Sequence, residues 1–463
     1  MQRYVRIFFH GQHVSAGKVE VEPSAICQIF PSHISQSPCR KDMHLAPIIP
    51  HIKKLTTVAI LAVLCSALPV LADPAPVASS VPDSYGDWYD TLKEIGTVYK
   101  NSDNPYLQEF KFFGRYQWQT GYINGNDING DNFNDSDSIH RRFRLGAQMK
   151  FARYFKLKAN VNLVVDARFL GGDIHWGIPD GPAAFDEAKL TFDAGKAFGT
   201  AGLDSLSFTY GRQKLKMSEE GHASSKKIKT IERSALANTI FRSAHPVGFT
   251  MDAAKESWKA SAAIFSDQIS SNEWDSVIGE WSEGLAYYAS ASKTFDNKDQ
   301  LILDYIYHDD SGDAILDWIG YDWAGSAAYA GTWGRGVYMG NVIVGDHGEV
   351  AVKPELGGLF YGAILMGTYW IAEGKLEAVG QYQWQGSEKA EGVRTNSRIF
   401  RADNGGDVNN GRGDSHHSLY AGLNWYLCGD NVKFMTGVEY QNLDTPDGNA
   451  DATTMWLAYR MYF

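Results

Sequence analysis

Residues 453–463 read TTMWLAYRMYF, and the reading of this stretch decides the fold. At a period of two, Thr453, Met455, Leu457, Tyr459, Met461 and Phe463 share one face, while Trp456, Ala458, Arg460 and Tyr462 share the other. A soluble edge strand also alternates, but its end would fray into water instead of finishing on three large side chains. An alternating segment of about ten residues closed by an aromatic fits one stave of a transmembrane β-barrel. The remaining chain then has to supply enough strands to close around it.

Composition agrees with a β-protein. Aromatic residues make up 13% and charged residues 21%, with 46 Gly in 463 residues. A mean hydropathy of -0.30 excludes a bundle of apolar membrane helices. The formal net charge is -11, and residues 1–72 hold seven basic and three acidic residues, so residues 73–463 are more acidic still. A nucleic-acid partner is excluded on that balance. Cys27 and Cys39 lie near the start, Cys65 within an apolar run and Cys428 alone in the rest. No CxxC motif and no disulfide framework can be built from them.

The one long apolar run is 55–72, LTTVAILAVLCSALPVLA, preceded by Lys53 and Lys54 and ending on small residues before Asp73. This is the layout of a cleaved secretory signal. The expected organisation is a leader at 1–42, a signal peptide at 43–72, a flexible leader with a short amphipathic helix (87–100) at 73–108, and a barrel at 109–463. Strands are expected at 109–123, 139–151, 155–168, 185–192, 206–217, 247–253, 258–267 and 284–295. Further strands are expected at 301–309, 336–344, 349–358, 360–372, 375–385, 417–427, 432–443 and 453–463. The fold class is therefore all-β, a transmembrane antiparallel β-barrel of about 16 strands (14–18). Short connections such as 295–299 alternate with long ones such as 124–138, 218–246 and 387–415.

Two adjacent strands carry a strongly basic face. Arg142, Arg144, Gln148 and Lys150 oppose Phe143, Leu145, Ala147 and Met149; Lys156 and Lys158 oppose Phe155, Leu157 and Ala159. The most basic window comes next, at 211–233, GRQKLKMSEEGHASSKKIKTIER, with Lys214, Lys216, Lys226, Lys227 and Arg233. Its plain reading is a solvated turn. The sharper reading is a constriction loop whose cations face the basic wall, since rings of Arg and Lys favour anions. The face changes near Gly211, where a bulge or a strand end is expected.

The segments GRQKLKMSEE and TIERSALANTIF, with HRRFRLGAQMKF and FDEAKLTF before them, resemble the phosphate- and polyphosphate-selective porin family of Gram-negative bacteria. The chain departs from that family at Leu215, where a proline is usual. The resemblance implies a sixteen-stranded barrel in the cell outer membrane, a homotrimer with an inward-folded third loop, and contact with outer-membrane lipid and lipopolysaccharide.

The expected function is passive diffusion of small hydrophilic solutes through a lumen biased toward phosphate-like anions. The expected anion path is Arg142, Arg144, Lys150, Lys156, Lys158, Lys214, Lys216, Lys226, Lys227 and Arg233. The acidic surplus is expected mainly on the outer loops. Neither catalytic residues nor a metal or other cofactor is expected: Asp127, Asn129 and Asp131 lack the glycine and terminal glutamate of a calcium loop. Two alternatives stand beside this reading: a lipase-like barrel enzyme, and a structural or adhesive barrel plugged by 218–246 or 311–332.

Overall fold

A strand with one polar and one apolar face satisfies both in a membrane only if the sheet rolls up, with the apolar face turned out. The computed structural model describes residues 91–463 except 93, 165–184, 201, 242–244, 267–277, 280, 282–283, 310–319, 352 and 402–404. The expected leader and signal peptide lie outside the described residues.

Sixteen strands among the described residues close the ring. They are β1 (Leu107–Asn126), β2 (Asn132–Phe151), β3 (Phe155–Asn162) and β4 (Phe185–Asp193), then β5 (Ser205–Arg212), β6 (Val247–Lys255), β7 (Trp258–Ser266) and β8 (Leu285–Thr294). The second half holds β9 (Gln300–His308), β10 (Trp323–Trp333), β11 (Gly336–Asp346) and β12 (Leu359–Ala372). It ends with β13 (Leu376–Ser387), β14 (Ser415–Cys428), β15 (Val432–Thr445) and β16 (Gly448–Tyr462). Each pairs antiparallel with its sequence neighbours, and β16 pairs with β1 from Asp451↔Asn126 to Tyr462↔Arg115. At the seam, Gly114 and Phe463 exchange backbone hydrogen bonds of 3.2 and 3.3 Å. The Phe463 ring fills the space beside Gly114, where an added Cβ would come within 2.3 Å of it.

The two faces divide as the alternation requires. In β16, Met455 and Leu457 are exposed outward, and Trp456, Ala458 and Arg460 are buried inward. Turns of two to five residues at 152–154, 256–257, 295–299, 334–335, 373–375 and 429–431 share one end with Phe463, the periplasmic end in barrels of this type. Most long connections lie at the other end. No helix among the described residues is long and apolar enough to cross a membrane.

The structure corrects several boundaries. Residues 97–100 are a strand (Thr97–Lys100) paired with Glu109–Lys111, not helix; only Thr91, Leu92 and Glu94 are described as helical. Its β-branched and aromatic residues continue the row where β16 stops. Residues 349–358 are a loop with a 3-10 turn at Pro354–Leu356. Residues 323–332, part of the proposed plug, belong to β10 in the wall; residues 311–319 lie outside the described residues. The expected strand at 206–217 stops at Arg212, and the expected loop at 124–138 shrinks to 127–131 as β1 and β2 run on.

Gly146 packs where a side chain has no room: a Cβ would stand 2.5 Å from Asn160 Cβ and 2.6 Å from Ala159 O. Gly146→Val should therefore destabilise the β2–β3 pair by about 1–3 kcal/mol. The expected outcome is a lower yield of the compact, heat-modifiable barrel on unheated gels.

Candidate functional site

The site is built where the chain leaves β5. Gly211 has φ +113, and a Cβ there would lie 2.3 Å from Ala188 O. Only glycine adopts that backbone without strain. Past Arg212 the chain turns inward through a neck closed by Gln213, whose N–H donates to Pro246 O (3.0 Å) and whose amide donates to Gly248 O (3.0 Å).

Residues 213–241 then cross the lumen and are anchored on several sides. Tyr288 Oη donates to Lys216 O (2.7 Å), Ser218 N–H donates to Asp304 Oδ2 (3.0 Å), and His222 Nε2 lies 2.8 Å from Asp304 Oδ1. Farther on, Tyr462 Oη donates to Ser225 O (3.0 Å), Lys433 Nζ to Ile228 O (3.0 Å), and Arg460 to the carbonyls of Thr230 and Ile231. Lys229 Nζ sits 2.9 Å from Glu377 Oε1. The last turn, Ala235–Phe241, begins with Ala235 N–H donating to Gln383 Oε1 (2.6 Å). Leu215, Met217, Leu236 and Ile240 pack on wall residues such as Phe265, Ile306 and Phe360. The loop is thus held by apolar burial as well as charge.

The described residues of a second loop, 388–401 and 405–414, also fold in. Ile399, Phe400 and Val408 are buried against Ile123, Phe133 and Ile139. Asn396 Nδ2 donates to Arg233 O (2.8 Å), joining the two loops. Glu232 is the shared node: it accepts from Gln119 Nε2 (2.7 Å) and lies 3.5 Å from both Arg141 Nε and Arg398 Nε.

The basic wall faces this assembly. Two bulges shape it, because an extra residue turns two consecutive side chains the same way. Gln117 pairs with Arg142 and Trp118 with His140, which brings Arg141 and Arg142 both inside. Asn160 pairs with Glu187 and Val161 with Phe185, which does the same for Asp186 and Glu187. Arg142 Nη1 donates to Gln117 Oε1 (2.6 Å), and Arg144 meets Asp186 at 2.7 Å. Lys150 meets Glu109 at 2.7 Å, and Lys158 and Lys189 share Glu187 at 2.5 Å each. Lys156 stays exposed, with Lys158, Lys150, Lys189 and Lys111 as the charges around it.

Three cross-strand neighbours on this wall carry like charge: Lys150↔Lys156, Lys158↔Lys189 and Arg115↔Arg144. Such pairs oppose folding. Residues 110–282 match the family model of phosphate-selective porin O and P. The matched stretch is a little over a third of the chain and likens it to the porins of the outer membrane. None of the curated proteins matches the sequence. Among solved structures, the chain is similar to OmpT of Vibrio cholerae (12% identity, 77% of this chain and 98% of that chain, TM-score 0.48). It is also similar to OprB of Pseudomonas putida (12%, 84% and 100%, 0.47) and to the outer membrane channel DcaP of Acinetobacter baumannii (13%, 77% and 97%, 0.46).

The ten expected residues divide into groups. Lys150, Lys156 and Lys158 cluster toward the periplasmic end of the wall, and Arg142 and Arg144 stand higher on β2. Lys226 lies within the field of Asp430, Lys227, Arg115 and Lys111, and Lys227 N–H donates to Ser224 O (2.8 Å) within the loop. Lys214 and Arg233 both stand against the Phe241 ring, at 5.0 and 4.5 Å from its centroid, and both bond to loop carbonyls. Lys216 stands apart, 3.5 Å from Asp252. Sequence reasoning missed Lys111, Arg115 and Lys189, which follow the same period of two, and Arg141, which only the bulge turns inward. Part of the acidic surplus sits at the loop–wall interface, in Glu220, Glu232, Asp304 and Glu377, and not on the outer loops.

Glu232→Gln would leave Arg141 and Arg398 facing each other across a buried node, at a cost of about 3–5 kcal/mol to the loop anchorage. Single-channel recordings should then show larger and noisier conductance, with no change in folded yield. On the same loop, burial and the neighbouring Glu220 push the half-buried Glu219 up to about 7, against His222, Arg233 and Lys214. It is neutral below that pH and ionised above it, so anion preference should fall as pH rises from 6 to 8. Glu219→Gln should flatten that step in the zero-current potential.

Proposed function

We propose that the porin passes small hydrophilic solutes by passive diffusion and favours anions such as phosphate. The observation that carries this reading is the set of like-charged neighbours, Lys150 and Lys156, Lys158 and Lys189, Arg115 and Arg144, on one wall of the lumen. Glu109, Asp186 and Glu187 neutralise part of that charge, and Lys111, Lys156, Lys226 and Lys227 add to it. An anion entering beside the wall relieves the repulsion between these neighbours. Partial pairing with the carboxylates keeps each contact weak enough for release, as conduction requires.

In this reading Lys150, Lys156 and Lys158 form the periplasmic mouth of the path and Lys226 and Lys227 its loop side. Arg142, Arg144, Lys214 and Arg233 set the potential from behind, and Lys216 belongs to the far rim. No covalent chemistry is part of the proposal. Assembly as a homotrimer is, and so is export by the segment at 43–72. A plugged barrel is the second reading, favoured by the two apolar clusters that pack the inward loops against the wall.

The test is the zero-current potential of the purified protein in a planar bilayer under a potassium chloride gradient. Wild type should show an anion-selective sign, with chloride current reduced by added phosphate. Lys158→Glu with Lys189→Glu should reverse or abolish the preference while conductance persists. An unchanged sign in that variant would remove the basic wall as its source, and no conductance in wild type would favour the plugged barrel.

A further inference from the structure

On the outer surface, near the periplasmic end, two lysines face lipid where the alternation calls for apolar side chains. In β6, Phe249 and Met251 are outward and exposed, and Lys255 continues that face; in β8, Tyr287 leads the outward series that ends at Lys293. Trp258 lies between them, paired with Lys255 on one side and Lys293 on the other. The Lys293 ammonium stands 5.3 Å from the Trp258 ring centroid and 5.3 Å from that of Phe295. Among the described residues no carboxylate lies within ion-pair distance of either lysine. Glu256, which comes after Lys255 in the turn, is the nearest acid in sequence, and its N–H bonds Asp204.

The same cross-strand row continues from Lys293 through Leu301, Tyr329 and Gly340 to Leu365. Here the outer surface sinks into an apolar groove of about 460 Å³ lined by Tyr329, Tyr338, Gly340, Leu365 and Gly367. A Cβ added at Gly367 or Gly380 would meet nothing within 4 Å. Glycine inside a strand weakens it, so outward glycines over open space call for something that fills the gap. The rim is rigid: Tyr329 and Tyr338 stack at 6.3 Å and both donate to Asp299 Oδ2, at 2.7 and 2.8 Å.

We infer that this face holds one anionic phospholipid of the periplasmic leaflet, its headgroup phosphate on Lys255 and Lys293 over Trp258 and one acyl chain in the Gly340–Gly367 groove. The inference rests on the barrel standing in the outer membrane and is independent of the anion path. Charge selects the occupant: two ammonium groups at the interface depth need a phosphate, and lysine there is tolerated because its stem stays in the apolar layer. Length agrees as well. Three strand spacings separate β8 from β11, about 14 Å. One leaflet offers about 15 Å, half of the hydrocarbon core.

Native mass spectrometry of the full-length protein, released from liposomes of phosphatidylethanolamine and phosphatidylglycerol, tests this. Wild type should retain phosphatidylglycerol. K255Q/K293Q should retain about tenfold less. Gly367→Leu should also lose it, with both lysines intact. Bilayer conductance and selectivity should be unchanged in both variants, which shows that the barrel is folded and separates this result from the fate of the anion path. Equal retention in wild type and K255Q/K293Q would overturn the inference. So would displacement of the lipid by inorganic phosphate, which would mark a free-anion site, or a changed oligomeric state, which would mark a contact between copies.

Discussion

In hydrocarbon no water is available to a backbone N–H or C=O, and the closure of the ring is the consequence. Each of the sixteen ring strands has two partners, and the seam is completed where β16 meets β1. Gly114 and Phe463 are the last pair of that seam, and Thr97–Lys100 takes over below it by pairing with Glu109–Lys111. Once the ring is closed, outward positions are committed to lipid and inward ones to whatever fills the lumen. The buried charges of β15 and β16 result from this commitment.

Arg460 and Lys433 are among the most buried side chains of the molecule, a costly arrangement without partners. Loop carbonyls at Ser225, Ile228, Thr230 and Ile231 supply them. Loop and wall therefore depend on each other: the loop brings carbonyls that the wall cations need, and the cations fix the loop across the lumen. The 388–414 loop adds a second layer through Arg398, Asn396 and its own apolar cluster. Both loops are packed like a small domain interior and not draped as solvated tails.

The ring and its inward loop were legible because lipid demands a sharp contrast between faces. Met455, Leu457, Phe143 and Leu145 alternate with Trp456, Arg460, Arg142 and Arg144, and the pattern is visible in sequence alone. Strand β10 was not legible: its lumen face is Ala324, Ser326, Ala328 and Ala330, too small to contrast with Gly325 and Ala327 opposite. The Asn- and Asp-rich ends of β1 and β2 also hid, since a strand beyond the membrane needs no apolar face. Residues 349–358 deceived in the other direction, and Pro354 with the positive φ of Gly358 explains the loop. Of the site, Lys150, Lys156 and Lys158 could be read by period. Arg141 and Asp186 could not, because a bulge breaks the period at the position where it matters. The inward course of 388–414 rests on a few apolar residues, Ile399, Phe400 and Val408, in a Gly/Asn-rich string.

An acidic chain can still present a cationic path if its acids and bases have different occupations. Glu232, Asp304 and Glu377 each accept from two or more groups of a loop or its neighbours, so their charge is spent within the scaffold. Glu439 is likewise held by Ser418 and Trp456. On β1–β4 the relation is inverted. Glu187 serves two lysines, Glu109 serves Lys150 with Lys111 at 3.8 Å, and Lys156 faces the lumen. Cationic side chains outnumber carboxylates on that wall although the total charge of the chain is negative. The sign felt by a solute is decided by the pairing of the charges beside its path, in a confined space where salt screens them less than on an open surface. The like-charged neighbours across β1–β4 oppose folding, yet a closed ring with fixed loops holds them in place.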